Sequence, residues 1–102
     1  MGLEENSFGE LLSIFRKEAN KTQLELSTAI TFLGYPIDVT AISRYESGSR
    51  RPEADFIPYF ARALRLSEDD ERTLLDTYIA YFRVLALQSY LRGKENVQQN
   101  VN

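Results

Sequence analysis

The side chains best suited to binding chemistry lie in residues 42–52, a polar stretch that contains Arg44, Arg50 and Arg51. A guanidinium group donates hydrogen bonds in a planar fork, which fits a phosphate or the O6 and N7 acceptors of guanine. Taken alone, the pair Arg50 and Arg51 is more typical of a solvated loop than of a binding patch. Its interpretation therefore depends on the helices that would position these cations.

Catalysis and metal binding are disfavoured by the residue types that the chain lacks. Its 102 residues include no histidine and no cysteine. A serine nucleophile would lack its usual base, and a zinc site would have only carboxylates as ligands. The absence of cysteine also excludes disulfides and is compatible with a reducing compartment. We therefore expect no enzymatic activity, no metal and no cofactor.

The composition predicts one small globular domain. Hydrophobic residues make up 43% of the chain, which is enough for a packed core at this length. The N-terminus has no signal-peptide pattern. The most apolar segment, residues 78–87, is short and contains Arg83, so it is not expected to span a membrane. We therefore expect a cytoplasmic protein.

The net charge argues mildly against nucleic-acid binding, since it is −3 with a pI of about 4.9. Residues 67–102 hold six acidic and four basic side chains, so they account for two of the three excess negative charges. The arginines of residues 42–52 thus lie in the less acidic part of the chain. This distribution predicts modest, salt-sensitive affinity for a nucleic acid.

Apolar residues at helical spacing predict an all-α fold with five helices and no strands. The predicted helices cover residues 8–20, 22–34, 39–47, 56–65 and 68–93. We divide the chain into a core at residues 1–66, a long C-terminal helix at 67–93 and a polar, disordered tail at 94–102.

The predicted helix boundaries rest on cap residues. A serine, threonine or aspartate before a helix accepts a hydrogen bond from a first-turn amide, and glycine after a helix adopts the left-handed conformation. Glu25, three residues after Thr22, completes a capping box. The predicted N-caps are Ser7, Thr22, Asp38, Asp55 and Ser67, and the predicted helix-ending glycines are Gly34, Gly48 and Gly93.

The short helix at residues 39–47 divides into two faces. Ile42 and Tyr45 can face a core, while small and polar residues face outward. A helix of this kind can enter the major groove of DNA, where Arg44 can bind guanine and the methyl groups of Val39 and Thr40 can contact thymine. The outward-facing candidates for base contact are Val39, Thr40, Ser43 and Arg44.

Residues 11–66 resemble the lambda-repressor-like (XRE-type) helix-turn-helix family. The resemblance rests on Thr-Gln at residues 22–23, Ile-Ser-Arg-Tyr-Glu at 42–46, the glycine at 48, Arg-Pro at 51–52 and the Ala-x-Ala-Leu ending at 61–64. It implies double-stranded DNA as a partner and an ion pair between Arg16 and Glu46. It also implies DNA backbone contacts by Thr22, Gln23, Ser47, Ser49, Arg50 and Arg51.

One segment departs from the usual phage-repressor pattern. The interval between Thr22 and Ile42 is several residues longer, with the surplus around residues 32–37. POU-specific domains, which resemble the same fold, also have a long connection at this place. In the lengthened connection, Tyr35 is a further candidate for contact with the DNA backbone.

The predicted C-terminal helix is apolar on more than one side, so it must bury more than one face. A symmetric homodimer would cover the second face and present two recognition helices to an inverted repeat. The residues assigned to this interface are Tyr81, Val84, Leu85, Gln88 and Leu91. Alternatively, the helix folds back and only completes the core of the monomer.

Together these features favour a nucleoid-associated, sequence-specific transcription regulator, most simply a repressor that binds an inverted-repeat operator as a homodimer. The alternative is a protein-interaction module of the same fold, such as an antitoxin or a co-regulator, with weak affinity for DNA. The acidic pI and the aromatic C-terminal helix motivate this alternative.

Overall fold

The computed structural model describes residues 7–100, and within that range the chain forms six α-helices and no strand. We number the helices in chain order. They are α1 (Ser7–Glu18), α2 (Gln23–Phe32), α3 (Val39–Ser47), α4 (Phe56–Leu64), α5 (Glu68–Phe82) and α6 (Leu87–Asn100). No helix in this part of the chain is both long and apolar enough to cross a membrane. The all-α prediction is confirmed, whereas the predicted number of five helices is wrong.

The hydrophobic core lies where α1 to α4 meet, and α5 closes over it. Aromatic pairs join neighbouring helices: Phe56 of α4 packs edge-on against Tyr45 of α3, with ring centroids 5.0 Å apart. Because all four helices contribute buried side chains, the core fixes the orientation of α3. The most deeply buried residues are Phe8, Leu12, Leu26, Ile30, Ile42, Phe56, Ile57, Phe60 and Leu74.

Most of the predicted caps are confirmed. The Thr22 hydroxyl accepts from the Glu25 amide at 3.0 Å, and the Glu25 carboxylate accepts from the Thr22 amide at 2.9 Å, which completes the capping box. Asp38 and Ser67 accept in the same way from amides of α3 and α5. The glycines after α2 and α3 have φ of 107° and 83°, as left-handed ends require.

The predicted capping bond of Asp55 is not formed, although this residue directly precedes α4. Its carboxylate instead accepts from the Tyr35 hydroxyl at 3.0 Å. Its amide donates to Ser89 Oγ at 3.1 Å. Asp55 therefore joins the α2–α3 connection and α6 to the beginning of α4.

The single long helix predicted at residues 67–93 is wrong, because the chain turns between α5 and α6. Arg83 ends α5 in the left-handed conformation with φ of 55°, which costs a non-glycine residue roughly 1–2 kcal/mol. The turn lets α6 fold back onto α4 and bury Ala86 and Val97, which offsets this cost. The tail predicted to be disordered is helical as far as Asn100, and its last two residues lie outside the described range.

Gly93, which was predicted to end the last helix, lies in the middle of α6. A Cβ atom at this position would clash with the carbonyl oxygen of Asp55 and would stand 2.8 Å from its Cα. The glycine therefore allows the backbones of α6 and the α4 entrance to approach closely. It does not act as a helix stop.

A buried carboxylate fastens α6 to α5 as well. Glu71 is 6% exposed and accepts hydrogen bonds from the Tyr90 hydroxyl at 2.6 Å and from Lys94 Nζ at 3.0 Å. Burial and this hydrogen bond raise the pKa of the Tyr90 hydroxyl, so Tyr90 remains a donor at neutral pH. Through these contacts α6 completes the core of the monomer.

Candidate nucleic-acid interface

The candidate interface begins with α3, which has one buried and one exposed face. Ala41, Ile42 and Tyr45 are buried. The residues on the opposite side are exposed, and they are the four predicted to contact bases: Val39, Thr40, Ser43 and Arg44. Because the inner face is held by the core, the outer face can enter a groove without disturbing the fold.

Glu46, near the end of α3, receives hydrogen bonds from both α1 and α2. Arg16 donates to it from Nε at 2.6 Å and from Nη2 at 3.0 Å, and Gln23 donates from Nε2 at 3.0 Å. Arg16 also donates to the carbonyl of Lys21 at 2.8 Å. The hydrogen bond with Glu46 raises the pKa of Arg16, so the guanidinium group remains charged. The network fixes α3 relative to the amino end of α2.

The amino end of α2 retains hydrogen-bond donors beside this network. Thr22 is exposed, and Gln23 is half-buried with one N–H bonded to Glu46. An amide nitrogen carries a second N–H, and helix amino ends favour anions. Both residues therefore remain candidates for a phosphate contact.

The loop after α3 is folded back onto the helix. The amides of Ser49 and Arg50 donate to the Arg44 carbonyl at 3.0 and 3.3 Å, and the Ser47 and Ser49 hydroxyls are 3.0 Å apart. All of these side chains are exposed. The loop thus places short polar groups and a cation next to the exposed face of α3.

The two loop arginines lie over aromatic rings. The Arg50 guanidinium carbon is 5.9 Å from the centroid of Tyr45, and that of Arg51 is 5.7 Å from the centroid of Phe82. Such contacts restrain a guanidinium while its in-plane N–H groups stay available. Both arginines are exposed in the loop that follows α3.

Tyr35 differs from its predicted role. It is half-buried, its ring lies 4.9 Å from that of Tyr59, and its hydroxyl donates to Asp55. Burial is the main cause of the raised pKa of the Tyr35 hydroxyl. Tyr35 therefore packs the lengthened α2–α3 connection onto α4 rather than presenting its hydroxyl to a nucleic acid.

Two residues that support this surface were not foreseen in the sequence. The Tyr78 hydroxyl donates to the carbonyl of Pro52 at 2.7 Å, and Phe82 lies under Arg51. Both belong to α5, far along the chain from the loop. Their apolar rings indicated burial, but nothing in their spacing indicated which loop they would contact.

The sequence of this chain matches a known protein family. The family model described as "Helix-turn-helix domain" matches residues 7–75, which include α1 to α4 and part of α5. The chain belongs to this helix-turn-helix family. Membership indicates a DNA-binding protein, which agrees with the exposed face of α3. No curated protein and no solved structure matches the chain.

The helix-turn-helix protein also exposes apolar residues around the turn between α5 and α6. Leu85 is fully exposed, Leu87 and Leu91 are about half-exposed, and Gln88 is exposed. Tyr81 and Val84 are half-buried. The residues predicted to form a dimer interface therefore lie around a turn, not along one straight helix.

A second apolar feature of the helix-turn-helix protein is an open groove between α2, α4 and α6, with a volume of about 1210 Å³. Leu24 and Phe32, exposed by 62% and 89%, line its α2 side. No residue of α3 lines this groove. The groove therefore lies apart from the recognition helix candidate α3.

Proposed function

We propose that this protein is a sequence-specific transcription regulator of the lambda-repressor-like kind that binds an inverted-repeat operator as a homodimer. The supporting observation is the exposed face of α3, which carries Val39, Thr40, Ser43 and Arg44 over a rigidly buried inner face. Binding at a promoter would exclude RNA polymerase, so the protein acts as a repressor.

In this proposal α3 is the recognition helix and reads base edges in the major groove. Arg44 binds a guanine through two N–H groups, and Thr40 and Val39 contact a thymine methyl. Ser43 completes the reading surface. The backbone is held by Thr22, Gln23, Ser47, Ser49, Arg50 and Arg51. These contacts set affinity and register but carry little sequence information.

The acidic chain can still present a basic surface to DNA. Glu46 is neutralised locally by Arg16, which lies 2.6 Å from it. Arg44, Arg50 and Arg51 are exposed, and the Arg50 amide donates to the Arg44 carbonyl, so these cations lie close together along the chain at the end of α3. We therefore expect binding that weakens steeply as salt concentration rises.

Selection from a random pool of DNA duplexes tests the proposal. Purified protein is incubated with the pool at moderate salt, and the retained duplexes are sequenced. Enrichment of an inverted repeat supports both sequence reading and the homodimer, whereas an enriched single half-site supports sequence reading and contradicts the dimer. No enrichment by protein with a helical circular-dichroism spectrum contradicts the proposal.

The groove between α2, α4 and α6 favours a second candidate function, that of a protein-interaction module with weak DNA affinity. Exposed Leu24 and Phe32 on its wall are apolar surface of the kind that partner proteins cover. Replacing Arg44, Arg50 and Arg51 together by alanine separates the two functions. If the triple variant still regulates transcription in cells, the interaction module is supported. If transcriptional regulation is lost, sequence-specific DNA binding is supported.

A further inference from the structure

We propose that α5 is a brace that positions the DNA-facing loop, with Tyr78 and Phe82 as its positioning residues. The loop is defined as residues 49–52, which connect α3 towards α4. This inference rests on the proposed DNA-binding function and assigns a role to a helix that otherwise only closes the core.

Tyr78 fixes the end of the loop. Its side chain is 2% exposed, and its hydroxyl donates to the carbonyl of Pro52 at 2.7 Å. Pro52 is itself buried and has no amide N–H, so this carbonyl is its only main-chain polar group. A buried carbonyl that loses its donor is costly, which makes the bond a strict restraint on where the loop lies.

The Tyr78 ring is held independently of its hydroxyl. It packs edge-on against Phe8 at 5.3 Å and against Phe82 at 4.8 Å. A phenylalanine at this position would keep both ring contacts. Removal of the hydroxyl alone therefore tests the hydrogen bond to the loop without changing the packing of the ring in the core.

Phe82 restrains the side chain that precedes Pro52. The Arg51 guanidinium carbon lies 5.7 Å from the centroid of the Phe82 ring. A guanidinium over an aromatic ring is held there by cation–π attraction, and its N–H groups can still donate to a phosphate. Arg51 thus loses less side-chain entropy on binding than an unrestrained arginine would.

The other end of the loop is tied to the recognition helix. The amides of Ser49 and Arg50 donate to the Arg44 carbonyl at 3.0 and 3.3 Å. The loop is therefore held by α3 at one end and by α5 at the other. The position of Arg51 relative to Arg44 follows from the packing of α5, so α5 influences DNA contact without touching DNA.

Tyr78→Phe tests the brace, and Tyr90→Phe is its matched control. Each substitution removes one hydroxyl with a defined acceptor, but the Tyr90 hydroxyl binds Glu71 instead of the loop. Dissociation constants are measured for the selected operator and for an unrelated duplex over a salt series. Tyr78→Phe should weaken binding to both duplexes by about 3- to 10-fold, and the slope of log affinity against log salt should become shallower by about one.

A merely structural role would not produce this pattern. If Tyr78→Phe and Tyr90→Phe bind DNA with equal affinity and equal salt slope, the brace is overturned. Binding by the wild-type protein would in that case still support the proposed function. Absence of DNA binding by the wild-type protein would overturn both. Phe82→Leu supplies a second variant, since it removes the aromatic face under Arg51 and should also reduce the salt slope.

Amide hydrogen exchange tests the brace without DNA. The amides of Ser49 and Arg50 should exchange faster in Tyr78→Phe than in the wild-type protein, and Tyr90→Phe should leave them unchanged. Unchanged exchange at both amides in a folded Tyr78→Phe variant would show that the loop does not depend on α5.

Discussion

At the scale of single residues, the exposed side chains proposed to contact DNA are distinct from the buried side chains that stabilise the fold. Arg44 is exposed and makes no ion pair among the described residues. Glu46 accepts three hydrogen bonds from Arg16 and Gln23, so its carboxylate stabilises the fold. Arg44 and Arg16 therefore have different roles: Arg44 is exposed to solvent, whereas Arg16 is buried against Glu46.

Replacing Arg44 by alanine should relax base preference at one position of each half-site and weaken operator binding by about 1–3 kcal/mol. The reason is the loss of two hydrogen bonds to one base. Competition binding against single-base operator variants measures the effect. Arg62→Ala is the control, because Arg62 is an exposed arginine of α4 on the separate groove. An unchanged base preference in Arg44→Ala would remove this residue from the reading surface.

Replacing Glu46 by glutamine should lower the free energy of unfolding by about 3 kcal/mol, because it leaves the buried Arg16 charge without its carboxylate. Both side chains are about one-tenth exposed, so solvent compensates little. Urea denaturation measures the change. Glu95→Gln, at an exposed position of α6, should change stability by less than about 0.5 kcal/mol. If Glu46→Gln and Glu95→Gln lower the free energy of unfolding equally, the ion pair between Arg16 and Glu46 contributes little to stability.

At the scale of helices, α6 shows how close packing overrides local preference. Its middle residue is a glycine, which is unfavourable in a helix interior by roughly 1 kcal/mol relative to alanine. The close approach to Asp55 leaves no room for a Cβ atom. The cost within α6 is offset by the contacts that this approach allows with α4.

Gly93→Ala should therefore destabilise the protein by about 1–3 kcal/mol, even though alanine is the better helix former. The added methyl group would meet the Asp55 backbone, which cannot move without displacing α4. Thermal unfolding measures this effect. Asn96→Ala, an exposed substitution in the same helix, should be neutral or slightly stabilising. A stabilised Gly93→Ala variant would contradict the observed packing of α6.

The features of the fold differ in how far the sequence could predict them. The caps at Thr22, Asp38 and Ser67 were predictable, because a side chain bonds an amide only three residues away. The turn at Arg83 and the place of Gly93 were not, because each depends on a partner distant in sequence. Much of the candidate site followed from local pattern, as in the exposed face of α3. The contact between Tyr78 and the loop required the fold.

At the scale of the whole molecule, the candidate interaction surfaces belong to different elements. The proposed reading face belongs to α3, and the groove lies between α2, α4 and α6. The leucine turn, formed by Leu85, Leu87 and Leu91, lies around the connection between α5 and α6. The family match ends at residue 75, before this turn. The leucine turn thus lies outside the matched residues, and the dimer proposal depends on it.

A twofold-symmetric dimer through the leucine turn would place the same patch of each copy against itself and leave both α3 helices free to read half-sites. Replacing Leu85 and Leu91 together by aspartate should therefore give a folded monomer, because both side chains are exposed and contribute little to the core. Sedimentation equilibrium measures the mass. Operator affinity should fall towards that of a single half-site, since the two halves are no longer linked.

Phe32→Asp is the matched control, since it places the same charge on an exposed apolar residue of the groove. It should leave both the mass and the operator affinity unchanged. A dimer that persists with aspartate at both leucines, but dissociates in Phe32→Asp, would move the interface to the groove. That result would also explain why a small protein leaves a phenylalanine 89% exposed on α2.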